Sequence, residues 1–130
     1  MSDATSGRTQ PGLRHRVTEL RYAKADKALT VTFADGRSFA LPAEYLRVES
    51  PSAEVQGHGP SQKQILAGRR HVGITGIEPV GSYAARIVFD DLHDTGLYTW
   101  DYLRKLGEEQ ESIWAAYLAN LDSRGLSRDP

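Results

Sequence analysis

The residues best equipped for chemistry in this chain are its four histidines, His15, His58, His71 and His93, and the carboxylates around the last of them. The stretch DDLHDTG sets His93 among Asp90, Asp91 and Asp94. Neighbouring carboxylates favour an imidazolium, which fits a hydrogen-bond hub or, in the neutral form, a metal ligand. The same stretch also reads as a polar turn between two strands, its carboxylates solvated or capping backbone N–H groups. His58 lies in GHGP, between Gly57 and Gly59, which suit a turn or let a backbone approach a partner closely. No histidine stands in an H-E-x-x-H motif or in the H-x-D element of a two-histidine, one-carboxylate iron site. There is no G-x-S-x-G elbow and no Walker loop, and GHGP is too short to cradle a phosphate. The basic run GRRH at 68–71 reads as a solvated turn rather than an anion site. One spacing stands out: SPSAEV places Ser50, Ser52 and Val55 as metal-binding cysteines are commonly placed, yet without a thiol.

Composition removes several function classes. The chain has no cysteine, so disulfides, thiolate catalysis and Fe–S ligation by this chain alone are excluded. A net charge of −1 gives no basic excess for nucleic acid or an anionic membrane surface. No apolar run approaches the roughly 18–20 residues needed to cross a bilayer. The opening MSDATSGRTQPG lacks the apolar core of a signal peptide, so the expected residence is the cytoplasm. A length of 130 residues fits a single domain with a core large enough to fold without staples.

The elements that must position these residues follow from periodicity. Residues 1–14 are polar and rich in turn formers, and read as a flexible N-terminal segment. Leu20 and Tyr22, then Leu29, Val31 and Phe33, then Phe39 and Leu41, alternate with polar neighbours at the strand period of two. Asp26-Lys27 and Asp35-Gly36 punctuate these runs, the second tolerating the positive φ of a tight hairpin. Pro42 suits the start of a short helix, PAEYLRV, because its missing N–H would be unpaired there. Residues 49–64 read as an ordered loop, with Ser61 and Gln64 at capping-box spacing for a helical turn. Three further strands carry Val72, Ile74 and Ile77, then Ala84, Ile87, Val88 and Phe89, then Leu97 and Tyr98.

From Thr99, a plausible N-cap, the period becomes helical through Trp100, Leu103, Leu106, Ile113, Trp114, Tyr117, Leu118 and Leu121. Gly107 is expected to kink or split that stripe, and Gly125 to cap its end. Helical spacing assigns both tryptophans, Tyr98 and Tyr102 to the core rather than to an exposed aromatic patch. The fold class is α+β: a mostly antiparallel sheet of five to six strands, a short helix after the first three, and a C-terminal helical segment packing on the sheet.

Three phrases carry a resemblance: FADGRSFALPAEYLRVESPSAEV, the GHGP loop, and VGITGIEPVGSYAARIVFDDLHDTGLYTWDYLRKL. Together, from about Leu20 to Leu106, they resemble the N-terminal domain of gamma-butyrobetaine hydroxylase and trimethyllysine hydroxylase. The match is to the stand-alone bacterial form, a domain of unknown function designated DUF971. The resemblance sets the body at 15–106 and leaves 107–130 as a C-terminal helical extension. In the hydroxylases, a C-P-C-x-x-C stretch and one histidine hold a structural zinc. The resemblance aligns Ser50, Ser52 and Val55 with the three cysteines, keeps Pro51, and aligns the histidine with His93. A neutral serine hydroxyl is a poor zinc ligand and valine is none, so the zinc site is expected to be lost, with no metal and no cofactor.

The resemblance does not bring hydroxylase activity, because the iron and 2-oxoglutarate sites belong to a following domain. Relatives of this small domain occur fused to P-loop ATPases that carry Fe–S clusters. It therefore implies a non-catalytic accessory or protein-interaction role, with an unidentified protein partner close to Fe–S or metalloprotein assembly. The expected binding surface takes in Gly57, His58, Gly59, Asp90, Asp91 and Asp94, and neither nucleic acid nor membrane is expected as a partner. The competing reading is a metal-binding protein or small metal-dependent enzyme using His58, His93 and the Asp90/Asp91/Asp94 cluster. Oligomeric state is left open by the sequence. Ser50 and Ser52 are expected to replace metal bonds with hydrogen bonds that pin the loop near His93.

Overall fold

A computed structural model describes residues 15–52, 63–91 and 94–130, excepting the side chains of Asp94 and Thr95. Alternation at period two builds the first half. Strands β1 (Val17–Ala23), β2 (Ala28–Phe33) and β3 (Ser38–Pro42) form an antiparallel sheet in the order β1-β2-β3. On β2 every second residue, Leu29, Val31 and Phe33, is buried, while the residues between them are half-buried. The two hairpin turns each carry a positive φ, at Lys27 (50°) and Gly36 (92°). Glycine accepts that conformation without cost, which is why Asp35-Gly36 was the stronger turn signal.

Pro42 ends β3 and is the N-cap of α1 (Ala43–Val48), a helix whose six residues are all buried. Three more strands, β4 (Ile74–Val80), β5 (Ala84–Phe89) and β6 (Asp94–Thr99), form a second antiparallel sheet in the order β4-β5-β6. The six strands are thus divided between two three-stranded sheets. Both face one core, in which Leu29, Val31, Phe33 and Leu41 meet Ile87, Phe89, Tyr98, Leu103 and Leu106. The sheets are also tied by a direct bond, the Ile74 N–H donating to the Tyr22 hydroxyl at 3.0 Å.

The helical stripe becomes α2 (Trp100–Glu108) and α3 (Gln110–Ser123). Thr99 caps α2, its Oγ1 accepting from the Tyr102 N–H at 3.1 Å. The break between the helices falls at Glu109, and Gly107 lies inside α2. The stripe is split into two helices as expected, but at Glu109 rather than at Gly107, whose role is packing. A Cβ on Gly107 would stand 2.5 Å from the Phe39 ring, so the missing side chain is what lets α2 lie against β3. Gly125 (φ 66°) closes α3, with its N–H bonded to the Asp122 carbonyl and the Leu126 N–H to the Leu121 carbonyl. That pair of bonds is the Schellman arrangement, which satisfies carbonyls a helix end would leave open.

The inner face of α3 makes a second, smaller core in which Tyr117 and Leu121 pack on Val48 of α1 and on Ile65, Leu66 and Ala67. Residues 63–67 have no regular secondary structure, and Ser61 of the anticipated capping box lies outside the described residues. The chain end returns along this face: the Gly68 N–H donates to the Ser127 carbonyl (2.9 Å) and the Arg70 N–H to the Arg128 carbonyl (3.0 Å). Both tryptophans pack as expected, Trp100 buried in the main core and Trp114 half-buried at the junction of the two.

Candidate functional site

The site starts from the C-terminal end of α1. A helix end leaves carbonyls without intrahelical partners, and a buried end must find donors elsewhere. Two tyrosines supply them. The Tyr98 hydroxyl donates to the Leu46 carbonyl at 2.6 Å, and the Tyr102 hydroxyl donates to the carbonyl of Glu49, the C-cap residue. Tyr45 runs the other way, donating from α1 to the Leu106 carbonyl of α2 at 2.7 Å. Burial first, and then the negative charge of Glu49, push the Tyr45 and Tyr102 phenols well above their ordinary range, so both stay protonated as donors.

This clamp delivers Ser50 and Ser52. Ser50 is fully buried, and its hydroxyl donates to Ser52 Oγ at 3.1 Å. The Ser52 N–H donates back to Ser50 Oγ at 3.1 Å, so the two serines close a local ring. Across from them runs β6, where Gly96 (φ 82°) would, given a Cβ, touch the Ser52 backbone and side chain at 3.9 and 4.0 Å. The serine loop therefore rests against β6, the strand that begins at Asp94, the last residue of the DDLHD stretch. His93 itself, like Val55, Gly57, His58 and Gly59, lies outside the described residues, as does the Asp94 side chain.

The carboxylates of the turn divide. Asp91 accepts from Nε of Arg47 at 2.8 Å, and Nε of Arg69 stands 3.3 Å from the same oxygen. Arg47 is 2% exposed, and a guanidinium buried that deeply requires a counter-charge. Asp91 is thereby held in a structural pair linking α1, the 68–70 stretch and the β5–β6 turn. Asp90 donates its backbone N–H to the Gly73 carbonyl at 2.8 Å, and its carboxylate lies against Gly73. The GRRH run is the expected turn, with Arg70 and His71 exposed, and its arginines are also engaged: Arg69 donates to the Ala67 carbonyl, and Arg70 pairs with the exposed Asp129.

Beside the serines, Lys63 pairs with the buried carboxylate of Glu49 at 2.5 Å. They line a groove of about 500 Å³ with Tyr102, Lys105, Glu109 and Tyr117. Its charges are balanced in sign, and its described lining holds no nucleophile beside a base. Among the described residues no group of three His, Asp or Glu side chains is placed to hold a metal ion. None of the described helices is long and apolar enough to cross a membrane.

Several of these residues gave no sign in the sequence. Arg47, Arg69, Glu49 and Lys63 find partners 14 to 44 residues away, and no local spacing encodes that. The tyrosine hydroxyls are a partial exception, since a tyrosine on a buried stripe must bond its O–H to something.

An α1 pinned between two antiparallel sheets and a helical hairpin, with the 50–52 loop against β6, defines a small α+β domain of one family. Residues 20–104 match the family model for gamma-butyrobetaine hydroxylase-like N-terminal domains, and the chain belongs to that family. It is also similar to two proteins with NMR solution structures. The first is 49% identical, with a TM-score of 0.78 over 89% of this chain and 91% of that one. The second is 44% identical, with a TM-score of 0.78 over 89% of this chain and 86% of that one. A crystal structure of a DUF971-family protein of unknown function from Acidithiobacillus ferrooxidans is 35% identical, with a TM-score of 0.60 over 82% of this chain and 98% of that one. The comparison with curated proteins gave no match.

Proposed function

We propose that the protein is a non-catalytic accessory domain that binds a protein partner close to Fe–S or metalloprotein assembly, and that it derives from a zinc-binding domain whose sulfur ligands have been replaced. In this reading residues 15–106 are the family domain and 107–130 its extension. The observation that supports it is the pair of serines: the buried Ser50 hydroxyl donates to Ser52 Oγ and accepts from the Ser52 N–H, at positions the family resemblance aligns with cysteine ligands. Asp91, which a metal-dependent enzyme would need, is taken up by two arginines. The partner-facing surface in this reading is the loop 50–60 with His93 and the neighbouring carboxylates Asp90, Asp91 and Asp94.

The test is metal analysis of protein purified without an affinity tag, repeated on a double variant, His58→Ala with His93→Ala. The expected result is no stoichiometric metal in either. Stoichiometric metal that disappears in the variant overturns the accessory reading in favour of a metal-dependent one.

A further inference from the structure

The two C-terminal helices differ in what they show to solvent. α2 buries Trp100, Leu103 and Leu106, and exposes Lys105 and Glu108. That is the usual division of a surface helix. α3 has no such division. It buries Tyr117 and Leu121 and half-buries Ile113 and Trp114, yet its exposed positions include Ala115, Ala116, Leu118 and Ala119. Leu118 is 39% exposed, one of three large apolar residues so open among those described. A helix apolar on both sides is normally covered on both sides.

The outer face is also shaped and charged. With Gly107, Glu108, Glu111, Trp114 and Ala115, Leu118 lines a concavity of about 620 Å³ at the α2–α3 junction. Carboxylates bound the apolar patch at both ends, Glu111 in the first turn of α3 and Asp122 in the last, and neither makes an ion pair among the described residues. No lysine or arginine lies within α3. Glu108 is already neutralised by Arg104 and Arg37. This sign pattern decides between occupants. An antiparallel α3–α3 pair in a dimer would bring Glu111 toward Asp122, and a parallel pair would set each acid beside itself. Both arrangements oppose like charges, so a second copy is disfavoured.

We propose that the outer face of α3 with the α2–α3 junction is a docking site for a partner protein's amphipathic helix, one that presents aliphatic side chains flanked by lysine or arginine. The aliphatic anchors fill the concavity over Trp114 and Leu118, and the flanking cations meet Glu111 and Asp122. Ala115, exposed in the lining of the concavity, lets a helix backbone approach closely. The inference shares the accessory reading but uses a different face and does not depend on the lost metal site.

The probe is a synthetic amphipathic helical peptide with leucines on one face and lysines at both ends, compared with the same peptide carrying glutamates in place of the lysines. Binding is followed by amide chemical shifts in the NMR spectrum. The lysine peptide is expected to shift residues 107–122 selectively and to bind about tenfold more tightly than the glutamate peptide, with the difference shrinking at high salt. Leu118→Asp, at an exposed position and so expected to fold normally, should abolish the shifts. Three results would overturn the proposal: equal binding of the two peptides, shifts centred elsewhere, or a native dimer that Leu118→Asp dissociates, which would make the occupant a second copy. Metal in the purified protein would sink the accessory reading yet leave these peptide outcomes unchanged, so the two can fail separately.

Discussion

The two faces of α1 are held by different forces. Toward the sheets, Ala43 and Leu46 join a core of interlocking aliphatic and aromatic side chains. Toward α3 and the chain end, the apolar contact shrinks to Val48, Tyr117 and Leu121 with their neighbours, and polar bonds over long sequence distances take over. Arg128 is the centre of these: it forks onto the buried Glu44 carboxylate at 2.7 and 2.9 Å, and its guanidinium lies 5.3 Å from the Trp114 ring centre. The Tyr117 hydroxyl, its pKa pushed up to about 12 chiefly by burial, donates to the Leu66 carbonyl. The sheet side tolerates loss of a polar bond because packing is redundant there. The α3 side depends on a few bonds, each leaving a buried group exposed to cost if broken.

The contrast is tested first by truncating each core. Leu103→Ala, fully buried on the sheet side, should cost about 3–5 kcal/mol, the upper range for a leucine deletion that leaves a cavity. Leu121→Ala, in the small core, should cost about 2 kcal/mol because that site can collapse toward solvent. Urea unfolding curves measure both. Arg128→Ala should cost about as much as a core truncation, roughly 3 kcal/mol, since it leaves Glu44 buried without a counter-charge. A loss below about 1 kcal/mol would place this pair among ordinary surface ion pairs.

Gly107→Ala sharpens the account of the helix-sheet contact. Helix propensity alone predicts a gain of about 1 kcal/mol, whereas the clash with Phe39 predicts a net loss of about 1–2 kcal/mol. Combining it with Phe39→Leu should recover much of that loss.

The smallest expected effect is in pH dependence. Asp35 is held down to about 2, first by its hydrogen bonds from the Arg104 side chain and then by the Arg37 backbone N–H. Its folded value lies below the unfolded 3.8, so its contribution is present above pH 3.8 and drains away as pH falls from there toward about 2. Because Asp35 is exposed, Asp35→Asn should shift the acid midpoint only slightly.

Much of the fold was legible in the sequence because periodicity is a local signal. The alternation of Leu29, Val31 and Phe33, the turn at Asp35-Gly36 and the cap at Thr99 all act within a few residues of themselves. Gly107 marks the split of the helical stripe only to within two residues, because a glycine there signals equally a break or a close approach, and the position of Phe39 makes it the approach. The candidate site was less legible. SPSAEV reads as a metal-site spacing without thiols, and its two serines bond each other, but nothing in the spacing shows that Asp91, expected on a binding surface, pairs with Arg47, 44 positions earlier. Ion pairs of that span are set by the folded topology, which no spacing rule supplies.

The central claim is that hydroxyls, tyrosine bonds and packing, rather than a metal, hold the loop after α1 in place. Thermal unfolding of the native protein with and without a strong chelator tests it most directly. The account predicts the same midpoint in both, with Ser50→Ala lowering it through about 1–2 kcal/mol of lost hydrogen bonding. A midpoint that falls by several degrees on chelation alone would contradict it.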